Sequence, residues 1–428
     1  MQVQNDELFP ETITTDVSNI KLKIRENEII FKRWKDVFIS DFRKQMLTDQ
    51  KIRDKDINTI TLATQCSVEN LHFVDSLTDR WNGPISVAVF IDRNDAMLVR
   101  FVEYYYQCFE NIRANTTFHL VYPENMGLGF SEVNCEEFRA HADEDILHMK
   151  PLTGLRYPYN VMRNLAIPQD RTGFMFFIDI DMVPSFNLHD EFLKYARTLE
   201  KETLDTSIFI VPSFESNNPS DIPGTKVKLI QRIITKEIRI FHLKTCGACQ
   251  YNTNYLKWKY LKNTTMSTYE IESKFFNYEP FYIIRSDKLI PYNEAFVGRG
   301  YDRISQVCEM WMAGFKFRVL SDAFLVHRGF HNTTKLRKRQ CPLRKKKKYV
   351  NSCVRKPDIL DFYKIVAEID QKRHINKRNK ESLRMMDEEE RAEMLMDDPN
   401  RELFWGFVEE LEKKYNGTGR MISQEWYF

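Results

Sequence analysis

Two aspartates spaced two residues apart, Asp179 and Asp181, directly follow an apolar run at residues 174–178. An unbroken apolar run is typical of a strand buried on both faces, as in a parallel sheet. Because residues i and i+2 of a strand point the same way, the two carboxylates are predicted to lie together at its carboxyl end, where open α/β sheets bind ligands. Their repulsion, roughly 4 kcal/mol at about 4 Å and an effective dielectric constant of about 20, favours a shared cation. Asp-x-Asp also ends many strands without a metal, but its flanking residues favour a divalent ion that carries a diphosphate.

A histidine and a glutamate elsewhere in the chain are further candidates. His327 ends an apolar segment at residues 324–326; taken alone it is a satisfied histidine at a strand end, and beside an acidic metal site it is a third ligand. Glu279 precedes Pro280, which donates no backbone hydrogen bond and biases Glu279 towards an extended conformation. A carboxylate held in this way suits a general base, and an ordinary loop glutamate is the alternative.

Two loops add candidates of another kind. Asp302 lies in a glycine-bearing loop before a helix predicted from Ser305, so helix capping and a role in acceptor binding or catalysis are both open. Cys246 and Cys249 form a Cys-x-x-Cys with no second pair at zinc-ribbon spacing. The missing second pair disfavours a structural zinc site, and in a secretory lumen we expect a disulfide or structural cysteines rather than redox catalysis.

The elements around these residues alternate between strand and helix patterns. β-Branched runs predict strands at residues 85–91 and 117–122, and apolar residues at helical spacing predict helices at 95–109 and 160–166, before the strand that leads to Asp179. This order predicts an α/β fold with a central, mostly parallel sheet and helices on both faces. No glycine-rich dinucleotide fingerprint or P-loop occurs, which disfavours those two chemistries.

Composition narrows the partners and the compartment. The 428 residues carry a net charge of +2, and the basic run at residues 337–348 has no interleaved aromatic residues, so we expect no nucleic acid partner. No stretch approaches the roughly 18 apolar residues of a membrane span, and the first ten residues lack a signal-peptide core. Eight cysteines and four N-glycosylation sequons nevertheless favour a secretory lumen mildly. We expect membrane association only if an N-terminal anchor is missing from this sequence.

The chain divides into four predicted regions. We expect an N-terminal extension, partly ordered, at residues 1–80, a catalytic α/β domain at 81–331, and a charged insertion at 332–398. The last region, 399–428, is predicted to contain an amphipathic helix that packs on the core.

Seven sequence blocks between residues 80 and 331 occur in the order of a known family. The chain resembles the LARGE-like glucuronyltransferases, above all the β-1,4-glucuronyltransferases that prime the O-mannosyl glycans of α-dystroglycan. The seven blocks are WNGPISVAVF, YPYNVMRNLA, FIDIDMVPS, VPSFE, CGACQ, YEPFY and YDRISQVCE, and the last block continues to FLVHRGF.

The resemblance implies a GT-A-type nucleotide-diphospho-sugar transferase. It further implies an inverting, Mn²⁺-dependent transfer of glucuronic acid from UDP-glucuronic acid to a xylose-ended glycan acceptor on a glycoprotein, of the O-mannosyl type. A type II membrane protein of the Golgi lumen is expected from the family, although this sequence contains no anchor.

The resemblance also distributes roles among the candidate residues. Asp179 and Asp181 match the family's metal and diphosphate site, and His327 matches the histidine that completes the metal's ligands. An inverting transfer needs a carboxylate base, for which Glu279 is the first candidate and Asp302 the second. Arg163 and Asn164 fall in a block expected to face the donor, where an arginine pairs with a phosphate or with the sugar carboxylate.

Two alternatives stay open from the sequence. The same fold could use another UDP-sugar donor, such as UDP-xylose or UDP-N-acetylglucosamine. A catalytically silent glycan-binding protein is the second alternative, which the two aspartates, His327 and Glu279 disfavour. The charged segment at about 335–395 has no match in the family, so it leaves acceptor choice open.

Overall fold

The computed structural model describes residues 21–26, 42–48, 59–92, 95–123, 131–139, 157–167, 173–261, 265–271, 278–331 and 400–415. The chain forms two compact units, the first from Met1–Asp205 with Tyr282–Asp302 and the second from Thr206–Phe281 with Arg303–Phe428. The charged insertion predicted at 332–398 lies outside the described residues. Among the residues described, no helix combines the length and apolar character needed to cross a bilayer.

The strands and helices follow one another along both units. The strands are β1 (Lys21–Glu26), β2 (Phe42–Thr48), β3 (Ile60–Ser67), β4 (Ile85–Phe90), β5 (Thr116–Pro123), β6 (Phe174–Phe177), β7 (Met182–Pro184), β8 (Ser207–Val211), β9 (Ser213–Ser216), β10 (Ile238–Ile240), β11 (Thr268–Ile271), β12 (Phe281–Arg285), β13 (Lys316–Leu320) and β14 (Leu325–Arg328). The helices include α1 (Phe73–Thr78), α2 (Ala96–Cys108), α3 (Glu110–Asn115), α4 (Tyr159–Leu165), α5 (Leu188–Ala196), α6 (Lys201–Asp205), α7 (Lys226–Ile234), α8 (Tyr255–Tyr260), α9 (Ile304–Met312) and α10 (Asn400–Lys414).

The first unit is built on a mixed sheet with a parallel centre. Its strand order is β1-β2-β5-β4-β3-β6-β12. The four central strands β5, β4, β3 and β6 pair in parallel, whereas β1, β2 and β12 pair antiparallel with their neighbours. Helix α4 contacts β3 and β4, and α3 contacts α1, α2 and β5. The α/β fold class predicted from the sequence is confirmed.

Strand β3 lies in the middle of this sheet, although the sequence assigns residues 1–80 to an N-terminal extension. It pairs with β4 on one side and β6 on the other. Its polar residues Thr64 and Gln65 are buried, 1% and 7% exposed. A buried strand with polar side chains at its centre lacks the apolar run by which β4 and β6 were recognised, so the pattern gave no signal for it.

The second unit contains two groups of strands. In one, β8 pairs in parallel with β13, which pairs antiparallel with β11. In the other, β9 pairs in parallel with β14 and antiparallel with β10. Helix α10 contacts α9, and its buried residues include Phe404, Phe407, Val408 and Leu411.

Candidate functional site

The two aspartates of the acidic motif lie in a turn just beyond β6. Strand β6 is buried along its whole length, and its last hydrogen bond runs from the Ile178 N–H to the Ala63 carbonyl, 3.1 Å. The Met182 N–H then donates to the Asp179 carbonyl at 3.0 Å, which closes a turn before β7. The expected position at the carboxyl end of a buried strand is therefore correct. The strand does not extend to Asp181, which lies in the turn, and that the two carboxylates lie together stays a prediction.

Gly173 fixes where this strand begins. It has a φ of +70°, and a Cβ at this position would lie 2.3 Å from the Thr59 carbonyl oxygen. The Phe174 N–H donates to that same oxygen at 2.9 Å, which aligns β6 with β3. Only glycine combines this backbone conformation with so close an approach.

Arg163 of α4 forms a buried ion pair with Asp302. Its Nη1 donates to Asp302 Oδ2 at 2.8 Å and to Asn160 Oδ1 at 2.8 Å. The Arg163 and Asp302 side chains are 7% and 12% exposed. Asp302 Oδ1 also accepts from the Gly300 N–H at 3.1 Å. The carboxylate that the sequence offers as a second base thus holds an arginine in place, and helix α9 has no side-chain cap at its first turn.

Two arginines of the first unit interact electrostatically with the acidic turn. Burial lowers the pKa of Arg163, but the Asp302 carboxylate, Tyr292 and Asp179 outweigh burial and raise it overall. The pKa of Arg299 is raised first by Tyr159, whose hydroxyl accepts from its Nε at 3.3 Å, and further by Asp179 and Asp302. Positive charge is therefore placed near Asp179.

Two asparagines of α4, Asn160 and Asn164, hold the loop that carries Arg299 and Asp302. Asn160, which is buried, donates to the carbonyls of Asn293 and Asp302 at 2.8 and 2.9 Å. Asn164 donates to the Tyr292 carbonyl and accepts from the Tyr292 N–H, both at 2.8 Å, and donates to Glu294 at 2.9 Å. These three bonds give Asn164 a role in positioning the loop, and its contact with a donor remains a prediction.

Glu279, in the second unit, is held through its backbone by a disulfide-closed turn. Cys246 and Cys249 form a disulfide, as the sequence favours. The Glu279 N–H donates to the Cys249 carbonyl at 2.9 Å, and the Gln250 side-chain amide donates to the Glu279 carbonyl at 2.9 Å. Hydrogen bonds thus fix both the backbone N–H and the carbonyl of this half-buried residue, which suits a group that must stay in one position.

His327 lies on β14, also in the second unit. Its Nδ1 is 2.7 Å from the Gly329 carbonyl oxygen. A carbonyl can only accept, so Nδ1 carries the hydrogen and the lone pair of the neutral ring is on Nε2. This is the tautomer that a histidine needs in order to bind a metal through Nε2.

The sequence missed Asn160 and Arg299, and only part of their role could have been detected. Asn160 lies one turn from Arg163 in α4, so its position beside the arginine was visible as an i, i+3 spacing. Arg299 sits between two glycines, which indicates a tight loop but no partner. Its approach to Tyr159, 140 positions away, depends on the tertiary fold.

In the first unit, a buried parallel strand of an α/β sheet ends in an acidic turn near two arginines, an arrangement that suits a ligand with anionic groups at that edge of the sheet. Comparison with known proteins extends this conclusion. A family model described as "Glycosyl-transferase for dystroglycan" matches residues 59–363. Beta-1,4-glucuronyltransferase 1 of Danio rerio is 33% identical over 322 residues, which cover 70% of this chain and 72% of that protein.

A more distant relative agrees with this family. Xylosyl- and glucuronyltransferase LARGE1 of Mus musculus is 25% identical over 334 residues, 75% of this chain and 38% of that protein. Among solved structures, S. aureus TarS 1-349 has 11% identity and a TM-score of 0.35, and the match covers 84% of this chain and 83% of that one. So low a TM-score carries no inference about this chain.

The chain belongs to the family of glycosyltransferases for dystroglycan. The LARGE-like family predicted from the sequence is confirmed, and the chain is an enzyme of the glycosyltransferase class. Its α/β architecture agrees with the GT-A-type fold predicted with that family.

Proposed function

We propose that the chain is an inverting, metal-dependent transferase that moves glucuronic acid from UDP-glucuronic acid to a xylose-ended glycan on a glycoprotein. The observation that carries the proposal is the acidic turn at Asp179 and Asp181 with Arg163 and Arg299 nearby in the same unit. Carboxylates suit a divalent cation, and guanidinium groups suit phosphate oxygens or a sugar carboxylate. Relatives named for glucuronic acid transfer support the choice of donor.

The side chains present fit Mn²⁺ chemically. Two carboxylates and an imidazole whose neutral form carries its lone pair on Nε2 are ligands that this ion accepts. Asp179 and Asp181 would hold it, and when bound it would supply positive charge that stabilises the departing diphosphate. That His327 completes its ligands stays a prediction of the family resemblance. Arg163, kept in one orientation by Asp302, would bind a donor oxygen without having to be ordered first.

Glu279 would act as the base. It would take the proton of the acceptor hydroxyl while that oxygen bonds to the anomeric carbon, and the bond from that carbon to the diphosphate oxygen would break as UDP leaves. One such displacement inverts the anomeric configuration. Asp302 is the weaker candidate because its carboxylate already accepts from Arg163 and from the Gly300 N–H.

A Golgi-lumen location is part of the proposal. The disulfides Cys108–Cys135 and Cys246–Cys249 support an oxidising compartment.

A panel of UDP-sugars tests this function by UDP release with Mn²⁺ and a xylose-ended acceptor. We expect release with UDP-glucuronic acid that falls at least about a hundredfold in Glu279→Gln, the scale of a lost general base. Glu270→Gln, which changes an exposed side chain on strand β11, is the matched control and should retain activity. Release with another UDP-sugar alone would identify a different donor, and no release with any donor would favour a silent glycan-binding protein.

A further inference from the structure

Three side chains within the second unit form a group with the chemistry of metal ligands. Glu215 on β9, His327 on β14 and His331 just beyond it each offer one ligand atom, and these atoms lie within 4.8 Å of one another. The parallel pairing of β9 with β14 sets His327 opposite Glu215 in register. The fold thus brings together residues separated by more than one hundred positions.

Glu215 is already balanced by other partners. It is fully buried, and its Oε1 accepts from Nε of the buried Arg239. Its Oε2 accepts from His331 twice, from Nδ1 at 2.9 Å and from the backbone N–H at 3.2 Å. With its charge paired to a guanidinium, the carboxylate serves to orient the imidazole, as carboxylates behind metal-bound histidines do.

Both imidazoles are set in the same tautomer. The Nδ1 hydrogen of His331 points to the Glu215 carboxylate, and that of His327 points to the Gly329 carbonyl. Neither oxygen acceptor can donate, so the lone pair of each neutral ring is on Nε2. The two ring centroids are 4.3 Å apart, and Phe241 packs near both, at 5.5 and 5.2 Å. The pair is therefore largely ordered before any ligand arrives.

We propose that His327 and His331 form a two-imidazole site for a borderline divalent cation such as Ni²⁺, Co²⁺ or Zn²⁺, with Glu215 and Gly329 as the acceptors that orient them. Imidazole nitrogens favour these ions over Mn²⁺, which binds carboxylate oxygens more readily. The site lies within the second unit and does not depend on Asp179 or Asp181, although it uses the histidine that the family resemblance assigns to the Mn²⁺ site. His331 thus gives this chain a metal preference that a single histidine would not.

The experiment is a titration of the full chain with Ni²⁺, without nucleotide, by isothermal calorimetry. The protein titrated carries both Asp179→Asn and Asp181→Asn, so the result does not depend on whether the two aspartates bind a metal. We expect one ion to bind in this background, and His331→Ala to weaken binding at least about tenfold, since one ligand is lost. His242→Ala is the matched control: its ring lies 4.5 Å from that of His331, and it should leave the affinity within about twofold.

A spectroscopic readout keeps the test independent of folding defects in the variants. With Cu²⁺ bound to the same background, spin-echo modulation should show the remote nitrogens of two imidazoles, reduced to one in His331→Gln. Loss of Ni²⁺ binding on the Asp→Asn background, unchanged affinity in His331→Ala, or modulation from a single imidazole would each overturn the proposal.

Discussion

Replacement of Asp302 separates a positioning role from a catalytic one. The Arg163–Asp302 pair is 2.8 Å long and nearly excluded from solvent, at 7% and 12% side-chain exposure. Removing one partner of a buried ion pair strands the other charge and costs about 3–5 kcal/mol. We therefore expect Asp302→Ala to lower the free energy of unfolding by that amount in urea denaturation of the full chain. Glu191→Ala breaks an exposed pair of similar length with Lys194 and should change stability little.

A double-mutant cycle shows whether the loss belongs to this pair. Arg163→Met with Asp302→Ala should be less destabilised than the two single changes together, with a coupling energy of about 1–3 kcal/mol. Kinetics add a second readout: Asp302→Asn should raise the KM for the donor, because Arg163 loses its fixed orientation. Single changes that add within about 0.5 kcal/mol would refute the reasoning, as would an Asp302→Asn variant that loses kcat with its KM intact, the behaviour of a base.

Three further predictions concern stability and are checked by thermal or urea denaturation. Gly173→Ala should destabilise by about 1–3 kcal/mol through backbone strain and its clash, clearly more than Gly314→Ala, where φ is also positive but no atom lies within 4 Å; equal losses would contradict the clash. Removal of the Cys108–Cys135 disulfide, which spans 27 positions, should cost about 3–4 kcal/mol, and an unchanged midpoint would contradict this. Burial raises the pKa of Glu215, but its partners His331 and Arg239 outweigh burial and lower the pKa overall. The ionised carboxylate therefore stabilises the fold at pH values above its ordinary pKa, and this stability is lost as the pH falls through the pKa of the folded state. Glu215→Gln should make the free energy of unfolding depend less on pH in the acid range.

The sequence predicted those parts of the fold that depend on local patterns. The β-branched run of β4 and the apolar run of β6 are buried strands, as predicted. Strand β3 was missed because Thr64 and Gln65 interrupt its apolar character while tertiary packing buries them. The local hydrophobic pattern reflects only neighbours in sequence, so it cannot detect that β4 and β6, on either side of β3 in the sheet, bury its polar residues.

The site was predictable as a set of residue types but not as a set of contacts. Asp179 and Asp181 were found through their chemistry, while the turn that holds them ends the strand earlier than alternation implies. Arg163 was expected to face a donor, but its partner lies 139 positions away in a loop. The pairing of His331 with Glu215, 116 positions away in the sequence, depends on the register of two strands, and a single sequence does not predict that register.

The central claim is that the acidic turn at Asp179 and Asp181 holds a divalent ion together with the donor diphosphate. Equilibrium binding of UDP to the full chain, with and without Mn²⁺, tests it most directly in the wild type, in Asp181→Asn and in the control Asp221→Asn, an exposed aspartate paired with Arg232. We predict UDP binding that depends on Mn²⁺ in the wild type and in the control and is lost in Asp181→Asn. UDP affinity that is the same with and without Mn²⁺, or that survives in Asp181→Asn, would contradict the account.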